Sequence, residues 1–136
     1  DVKTNIPTFI YITSGAIHEI NALDHLPIES GSFYLMDKAY IDFERLFRMH
    51  NSGAFLVTKA KENFRFIRVS SRQIDKHTGL ICDQTVKLKN LKVSQDYPGL
   101  IRRVKYYDSD IEMEFVFITN NFEINALDVA LLYKYR

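Results

Sequence analysis

Residues 32–53 read SFYLMDKAYIDFERLFRMHNSG, and this stretch predicts a strand, a carboxylate and a helix in direct succession. The apolar run from Phe33 to Met36 does not alternate with polar residues, which is typical of a strand buried on both faces. From Tyr40 the apolar residues recur at helical spacing, and Asn51-Ser52-Gly53 supplies a stop signal. Asp37 is therefore expected at the carboxyl end of a central strand, where open α/β sheets bind their ligands.

The other elements follow from the same kinds of pattern. A strand is expected at Thr8–Thr13 and a short helix near Asn21–Leu26. Beyond Gly53, turn residues separate five β-rich runs, at Ala54–Thr58, Phe64–Ser70, Leu80–Leu88, Leu100–Tyr107 and Glu112–Thr119. Helical spacing returns at Ala126–Arg136 after the expected cap Asn125, with a stripe of Leu127, Ala130, Leu131 and Lys134.

Length and composition indicate a globular domain, or a piece of one. The chain has 136 residues, of which 46% are hydrophobic and 13% aromatic, enough for a core. It contains no apolar run of membrane-spanning length and no export signal, so we expect a cytoplasmic protein without a membrane partner. The lone Cys82 is consistent with a reducing compartment.

Charge is distributed unevenly along the chain. The whole chain has a net charge of +1, but Lys59 to Lys105 contains twelve basic and four acidic residues, a net charge of +8. The remainder contains six basic and thirteen acidic residues, a net charge of −7. This asymmetry favours a surface for a polyanion, although Lys and Arg that merely solvate strands would give the same pattern.

Three stretches of the chain carry a resemblance that covers essentially its whole length. They read YLMDKAYIDFERL at 34–46, AFLVTKAK at 54–61, and TNNF at 119–122 leading into LLYKYR at 131–136. These stretches resemble bacterial insertion-sequence transposases of the DDE type. The last resembles the opening of that family's Tyr-x2-Arg-x3-Glu-x6-Lys signature.

The resemblance implies an α/β (α+β) fold with a partial ribonuclease H-like core and a β-rich antiparallel insertion. Residues 1–53 and 115–136 would belong to the core, and residues 54–114 to the basic insertion. In this family three carboxylates hold two divalent metal ions, Mg²⁺ or Mn²⁺, at a DNA phosphate. Asp37 matches the second carboxylate; the first would lie upstream of Asp1 and the catalytic Glu beyond Arg136.

The complete protein is thus expected to cleave and transfer DNA strands, whereas this chain alone is expected to be inactive and to bind metal weakly. Tyr133 and Arg136 match signature residues that lie beside the catalytic Glu and contact DNA phosphate. The resemblance also places the insertion against double-stranded DNA at transposon ends. Phosphate contacts are then expected from Lys87, Lys89, Lys92, Arg102, Arg103 and Lys105.

Other interpretations of the same residues stay open. Asp37 also suits the N-cap of a helix beginning near Lys38, and Tyr133 suits the core side of an amphipathic helix. Asp42 is expected to pair with Arg45 within the helix. A different class of function is a non-catalytic β-rich module that stacks nucleic-acid bases on Phe64, Phe66, Tyr106 and Tyr107. A third is a structural or interaction domain.

The resemblance makes one prediction about the sheet. In the ribonuclease H-like arrangement two further strands would lie between Thr8–Thr13 and Phe33–Met36, and they are missing from this sequence. An unpaired backbone group that is buried costs about 1 to 3 kcal/mol. We therefore expect either direct pairing of these two strands or β-mediated self-association, for instance as a homodimer.

Overall fold

The computed structural model describes residues 9–11, 28–36, 43–60, 65–89 and 95–135. Within these ranges seven strands and two α-helices follow one another along the chain. The strands are β1 (Phe9–Tyr11), β2 (Phe33–Met36), β3 (Phe55–Lys59), β4 (Phe66–Ser71), β5 (Leu80–Leu88), β6 (Leu100–Asp108) and β7 (Met113–Thr119). The helices are α1 (Phe43–Asn51), between β2 and β3, and α2 (Ala126–Lys134), after β7.

The strands form one mixed sheet in the order β1-β2-β3-β7-β6-β5-β4, so the fold is α+β. Strands β1, β2 and β3 are parallel, and all other pairs are antiparallel. The direct pairing of the first two predicted strands is confirmed, with Phe9 opposite Phe33. Strand β3 begins the segment that the sequence assigned to the insertion, yet it pairs in parallel with β2. The sheet is therefore continuous across residue 54.

Most strand predictions are confirmed to within two residues, and β5 has the predicted bounds. The connection between β4 and β5 contains a short 3-10 helix, Lys76–Thr78, and a turn of residues 109–112 joins β6 to β7. The helix predicted near Asn21–Leu26 lies outside the described residues. Neither described helix has the length and apolar character needed to cross a bilayer.

Each helix covers one face of the sheet, and we name the faces after them. On the α1 face, Leu46 and Met49 of α1 pack on strand residues that include Tyr34, Leu56 and Ile118. On the α2 face, Val129 and Tyr133 of α2 pack on residues that include Leu35, Val57 and Phe117. Because both faces of β2 are covered, all four of its side chains are buried, as the absence of alternation predicted.

The turn after α1 requires glycine. Gly53 has a φ of +81°, a left-handed backbone conformation that residues with a Cβ atom rarely adopt. A Cβ at this position would also lie 2.5 Å from Ser30 Oγ. Its carbonyl accepts a hydrogen bond of 2.8 Å from the Gly31 N–H. The predicted stop of the helix is thus also the point at which the chain packs against the segment entering β2.

Helix α2 is rotated relative to the stripe that its sequence suggested. Its buried residues include Ala126, Val129, Ala130 and Tyr133, which share one face at i, i+3, i+4 and i+7. Leu127 and Leu131 are only half-buried. Asn125 is the N-cap residue, as predicted, but its side chain makes no capping hydrogen bond.

Candidate active site at the carboxyl edge of the parallel strands

The carboxyl ends of β2 and β3 lie side by side, because the strands are parallel and Met36 is in register with Thr58. Asp37 follows Met36 in the sequence but lies outside the described residues. The structure confirms that the strand before Asp37 is an internal strand and ends at Met36. The position of the Asp37 carboxylate itself stays a prediction. Arg136 also lies outside the described part of the chain.

Tyr133 joins helix α2 to this edge. Its hydroxyl donates a hydrogen bond of 3.1 Å to the Met36 carbonyl oxygen, although 97 positions separate the two residues. Its ring packs on Phe117 with the ring centroids 5.1 Å apart. The side chain is 2% exposed, so its predicted contact with a DNA phosphate is not supported. Tyr133 instead holds the backbone that leads into Asp37.

Lys59 is a residue of this edge that the sequence did not single out. It ends β3, and its Nζ lies 5.4 Å from the centroid of the Tyr133 ring and 5.6 Å from that of Phe115. An ammonium over aromatic faces is favourably placed. The available signal was its position in the sequence, since Lys59 directly follows the predicted strand Ala54–Thr58.

The described residues do not by themselves form a metal centre. No three of their His, Cys, Asp or Glu side chains lie close enough together to hold a metal ion. Asp37 was not part of that set, and one carboxylate provides few of the oxygen ligands that Mg²⁺ or Mn²⁺ requires.

A second contact fixes the C-terminal end of α2. Lys134 Nζ lies 2.8 Å from Asp110 Oδ2 and 3.5 Å from Asp108 Oδ1, in the turn between β6 and β7. The hydrogen bond with Lys134 lowers the pKa of Asp110, and the same bond raises the pKa of Lys134. These residues line a cleft of about 300 Å³ that also includes Tyr106 and Tyr133.

The Thr119-Asn-Asn segment holds the other end of α2. The Asn120 side chain accepts from the Leu56 N–H at 2.8 Å and donates to the Ala54 carbonyl at 2.9 Å. Asn121 Oδ1 accepts from the backbone N–H groups of Glu123 and Ile124 at 2.9 and 3.0 Å. Helix α2 therefore starts from the amino edge of β3 and runs across the sheet to its carboxyl edge.

Arg102 does not lie on the DNA-facing surface that the sequence suggested. Its side chain is 3% exposed and forms a bidentate pair with Asp83, at 2.9 Å from Nε and 2.8 Å from Nη2. Its Nη1 donates to the carbonyl oxygens of Asn121 and Ile124. A phosphate contact by Arg102 is therefore not supported, because every nitrogen of the guanidinium already has an internal partner.

The other basic residues of the insertion are divided between the two faces. Lys87 alternates with the buried Val86 and Leu88 of the α1 face, so it points to the α2 face. Arg103 and Lys105 lie two and four positions beyond Ile101 in the same strand, so they share its face and point to the α1 face. The predicted single basic face is therefore not formed. Lys92 lies outside the described residues.

These residues also differ in their partners. Lys87 and Lys89 are exposed, and neither side chain makes a hydrogen bond or ion pair with another of the described residues. Arg103 stacks on Phe66, 4.6 Å from its centroid, and donates to Gln84 at 3.0 Å. Lys105 pairs with Glu114 at 3.5 Å. Lys87 and Lys89 are thus the best placed to meet a polyanion.

The aromatic residues proposed for base stacking do not form an open platform. Tyr106 is 7% exposed, Phe66 lies beneath the Arg103 guanidinium, and Phe64 is outside the described residues. Among the described members only Tyr107 is exposed, at 38%. One exposed ring gives little support to a module that stacks successive bases.

Comparisons with known proteins agree with one another. A family model described as a transposase DDE domain matches residues 1–136. A protein of Sinorhizobium fredii (strain NBRC 101917 / NGR234) named as a candidate transposase, y4zB, is 30% identical in an alignment of 142 positions that covers all of this chain. The chain spans 39% of the length of that relative. No solved structure matches the chain.

Proposed function

The chain belongs to the transposase DDE domain family, and from that premise we propose that it forms part of the catalytic domain of a DNA transposase. In this proposal the whole protein performs metal-dependent cleavage and transfer of DNA strands, on a ribonuclease H-like core. Asp37 supplies one of three metal-binding carboxylates, and segments outside this chain supply the other two. The 136 residues alone are then inactive.

One observation carries the proposal, namely the hydrogen bond from Tyr133 to the Met36 carbonyl. The bond brings the helix with the Tyr-x2-Arg pattern to the strand end from which Asp37 follows. Lys59 adds a positive charge beside the same edge. Catalysis at a DNA phosphate needs carboxylates for metal and cations for phosphate at one place.

When bound by a complete set of carboxylates, the divalent ions would polarise the phosphate and activate the attacking oxygen. The residues of this chain have separate tasks. Asp37 provides oxygen ligands, and Tyr133 fixes the backbone before Asp37. Lys59 lies near the strand edge where the carboxylates and the DNA phosphate would meet. Arg136 follows Tyr133 by three positions in the sequence and is proposed to bind phosphate.

DNA is the proposed partner. Its proposed surface is the exposed part of the antiparallel sheet at β4 and β5. Lys87 and Lys89 are exposed there, whereas Arg103 and Lys105 are half-buried. Contact through a few lysines would be weak, independent of sequence and sensitive to salt.

Titration of the purified chain with Mn²⁺, followed by electron paramagnetic resonance, tests the role of Asp37. We expect weak binding, on the order of millimolar, because Mg²⁺-like sites need several converging ligands. Asp37→Asn should abolish it, whereas the matched control Asp42→Asn should leave it unchanged. Equal binding by the chain and its Asp37→Asn variant would remove Asp37 from the site.

A cleavage assay tests the activity itself. Residues 1–136 would replace the matching segment of the longer Sinorhizobium relative, and nicking of a duplex would be followed in Mg²⁺ or Mn²⁺. We expect cleavage by this hybrid to fall by roughly 1000-fold with Asp37→Asn, since metal ligation accounts for several kcal/mol of transition-state stabilisation. Cleavage by the isolated 136-residue chain would contradict the proposal that it is incomplete.

A further inference from the structure

Arg102 is a cation of the insertion strands that reaches into the loop before helix α2. Its side chain lies on the α2 face of β6, since it alternates with Ile101 of the α1 face. Asp83 neutralises it from the neighbouring strand β5. The pair is buried, because Arg102 is 3% and Asp83 4% exposed by side chain.

The remaining donor of Arg102 is directed at backbone. Nη1 lies 3.2 Å from the Asn121 carbonyl oxygen and 2.7 Å from that of Ile124. The carbonyl oxygens of the loop have this donor as their partner, whereas Asn125 makes no side-chain cap and Asn121 Oδ1, an acceptor, is bonded to the N–H groups of Glu123 and Ile124. One planar guanidinium therefore joins two strands of the insertion to the start of α2.

We propose that Arg102 is a positioning residue for the catalytic helix, acting through the loop at Asn121–Ile124. This inference rests on the proposed function, which makes α2 the helix of the active site. Tyr133 lies eight residues beyond Asn125, about 12 Å along the helix axis. With Arg102 holding the loop directly before α2 and Tyr133 bound to Met36, the register of α2 on the sheet is set at both ends.

Arg72 lies at the outer side of the same group. It donates to Thr85 Oγ1 at 2.8 Å and to Asp83 Oδ1 at 3.3 Å, and its guanidinium lies 5.4 Å from the centre of the Phe122 ring. Strand β5 and the loop are thus bridged twice, once in the core and once at the surface. DNA contacts on the insertion strands would act on the helix through these bridges.

Native-state hydrogen exchange of the 136-residue chain, read by mass spectrometry, tests the proposal. Arg102→Lys keeps the charge beside Asp83 but removes the fork that reaches both carbonyls. We expect exchange at residues 121–134 to accelerate about tenfold or more relative to β5 and β6. The matched control is Arg103→Lys on the opposite face of the same strand, which should leave α2 unchanged.

A second variant separates positioning from general stability. Asp83→Leu with Arg102→Met replaces the buried ion pair by apolar side chains, which is often neutral or stabilising. We expect its melting temperature to match or exceed that of Arg102→Lys, while residues 121–134 still exchange fast. Acceleration that is uniform over the chain in Arg102→Lys, or full protection of α2 in the double variant, would overturn the proposal.

The measurement uses neither metal nor DNA, so its outcome is independent of the test of Asp37. Loss of the Asp37 effect on Mn²⁺ binding would remove the proposed function and leave the contact of Arg102 with the loop intact. Unaltered exchange in Arg102→Lys would remove the positioning role and leave Asp37 as a ligand.

Discussion

The parallel and antiparallel parts of the sheet differ in how well their faces are covered. All four side chains of β2, in the parallel part, are buried between the two helices, whereas five of the six in β4, at the antiparallel edge, are exposed. A polar group in the covered part must find an internal partner, as the Tyr133 hydroxyl does. In the open part Lys87 can keep its hydration. The proposed chemistry therefore lies in the part of the sheet that the helices cover, and the proposed DNA contacts in the exposed part.

The largest contrast should appear on truncation of an apolar side chain in each part. Leu35 is 0% exposed in β2 and Ile67 is 52% exposed in β4. Leu35→Ala should lower the free energy of unfolding by about 2 to 5 kcal/mol, because it leaves a cavity. Ile67→Ala should change it by about 0.5 kcal/mol or less. Urea denaturation measures both, and similar losses would mean that β4 is covered in solution.

The next largest effect should follow from removing positive charge from the exposed antiparallel part of the sheet. Lys87→Gln with Lys89→Gln should reduce the salt slope of duplex binding by about 2, one for each lost phosphate contact. Arg103→Gln with Lys105→Gln should reduce the slope by less, because these two residues already have protein partners. Fluorescence anisotropy at several salt concentrations gives the slopes. The reverse order would place DNA on the α1 face.

Two buried tyrosines should respond in opposite directions to the loss of their hydroxyls. Tyr133→Phe removes the bond to Met36 and should destabilise the fold by about 1 kcal/mol. Tyr97 is buried among Phe43, Phe47 and His50, and its hydroxyl has no hydrogen-bond partner in the part of the chain that the structure describes. Tyr97→Phe should therefore stabilise the fold by about 1 kcal/mol. Equal signs in thermal denaturation would indicate that a water satisfies Tyr97.

Tyr97 should also report its burial through titration. Burial raises the pKa of Tyr97 to about 12 from its ordinary value of 10.0. Because an unfolded chain would ionise this group first, its contribution to stability is lost as the pH rises above 10 toward 12. A titration to alkaline pH, followed by tyrosine absorbance, should show one fewer high-pH transition in Tyr97→Phe than in the unsubstituted chain.

The smallest effect is expected at the exposed end of α2. The pKa of Asp110 is lowered by Lys134, so the pair contributes stability above the ordinary value of 3.8 and loses it as the pH falls through the lower, folded value. Asp110→Asn should thus reduce the melting temperature at pH 7, and the difference should shrink as the pH falls below 3.8. Ser109→Ala, in the same turn, is the control. A difference that stays constant as the pH falls below 3.8 would have another cause.

Local patterns were sufficient where a residue's neighbours in sequence decide its structure. The uninterrupted apolar run at Phe33–Met36 predicted a doubly covered strand, and Gly53 predicted the end of α1. Alternation in Leu80–Leu88 predicted β5. Family resemblance added Asp37 as the candidate ligand, which periodicity alone could not separate from a helix cap.

The sequence by itself determined the kind and order of the described elements, because period 2 and period 3.6 are properties of consecutive residues. Only the tertiary structure decided which side chains face water. Arg102 looked like a surface cation until Asp83, Asn121 and Ile124 were brought to it from other elements. Likewise, the rotation of α2 follows from the sheet beneath it, and Tyr133 is directed to Met36 across 97 positions. Burial depends on partners distant in the chain, and no local pattern specifies them.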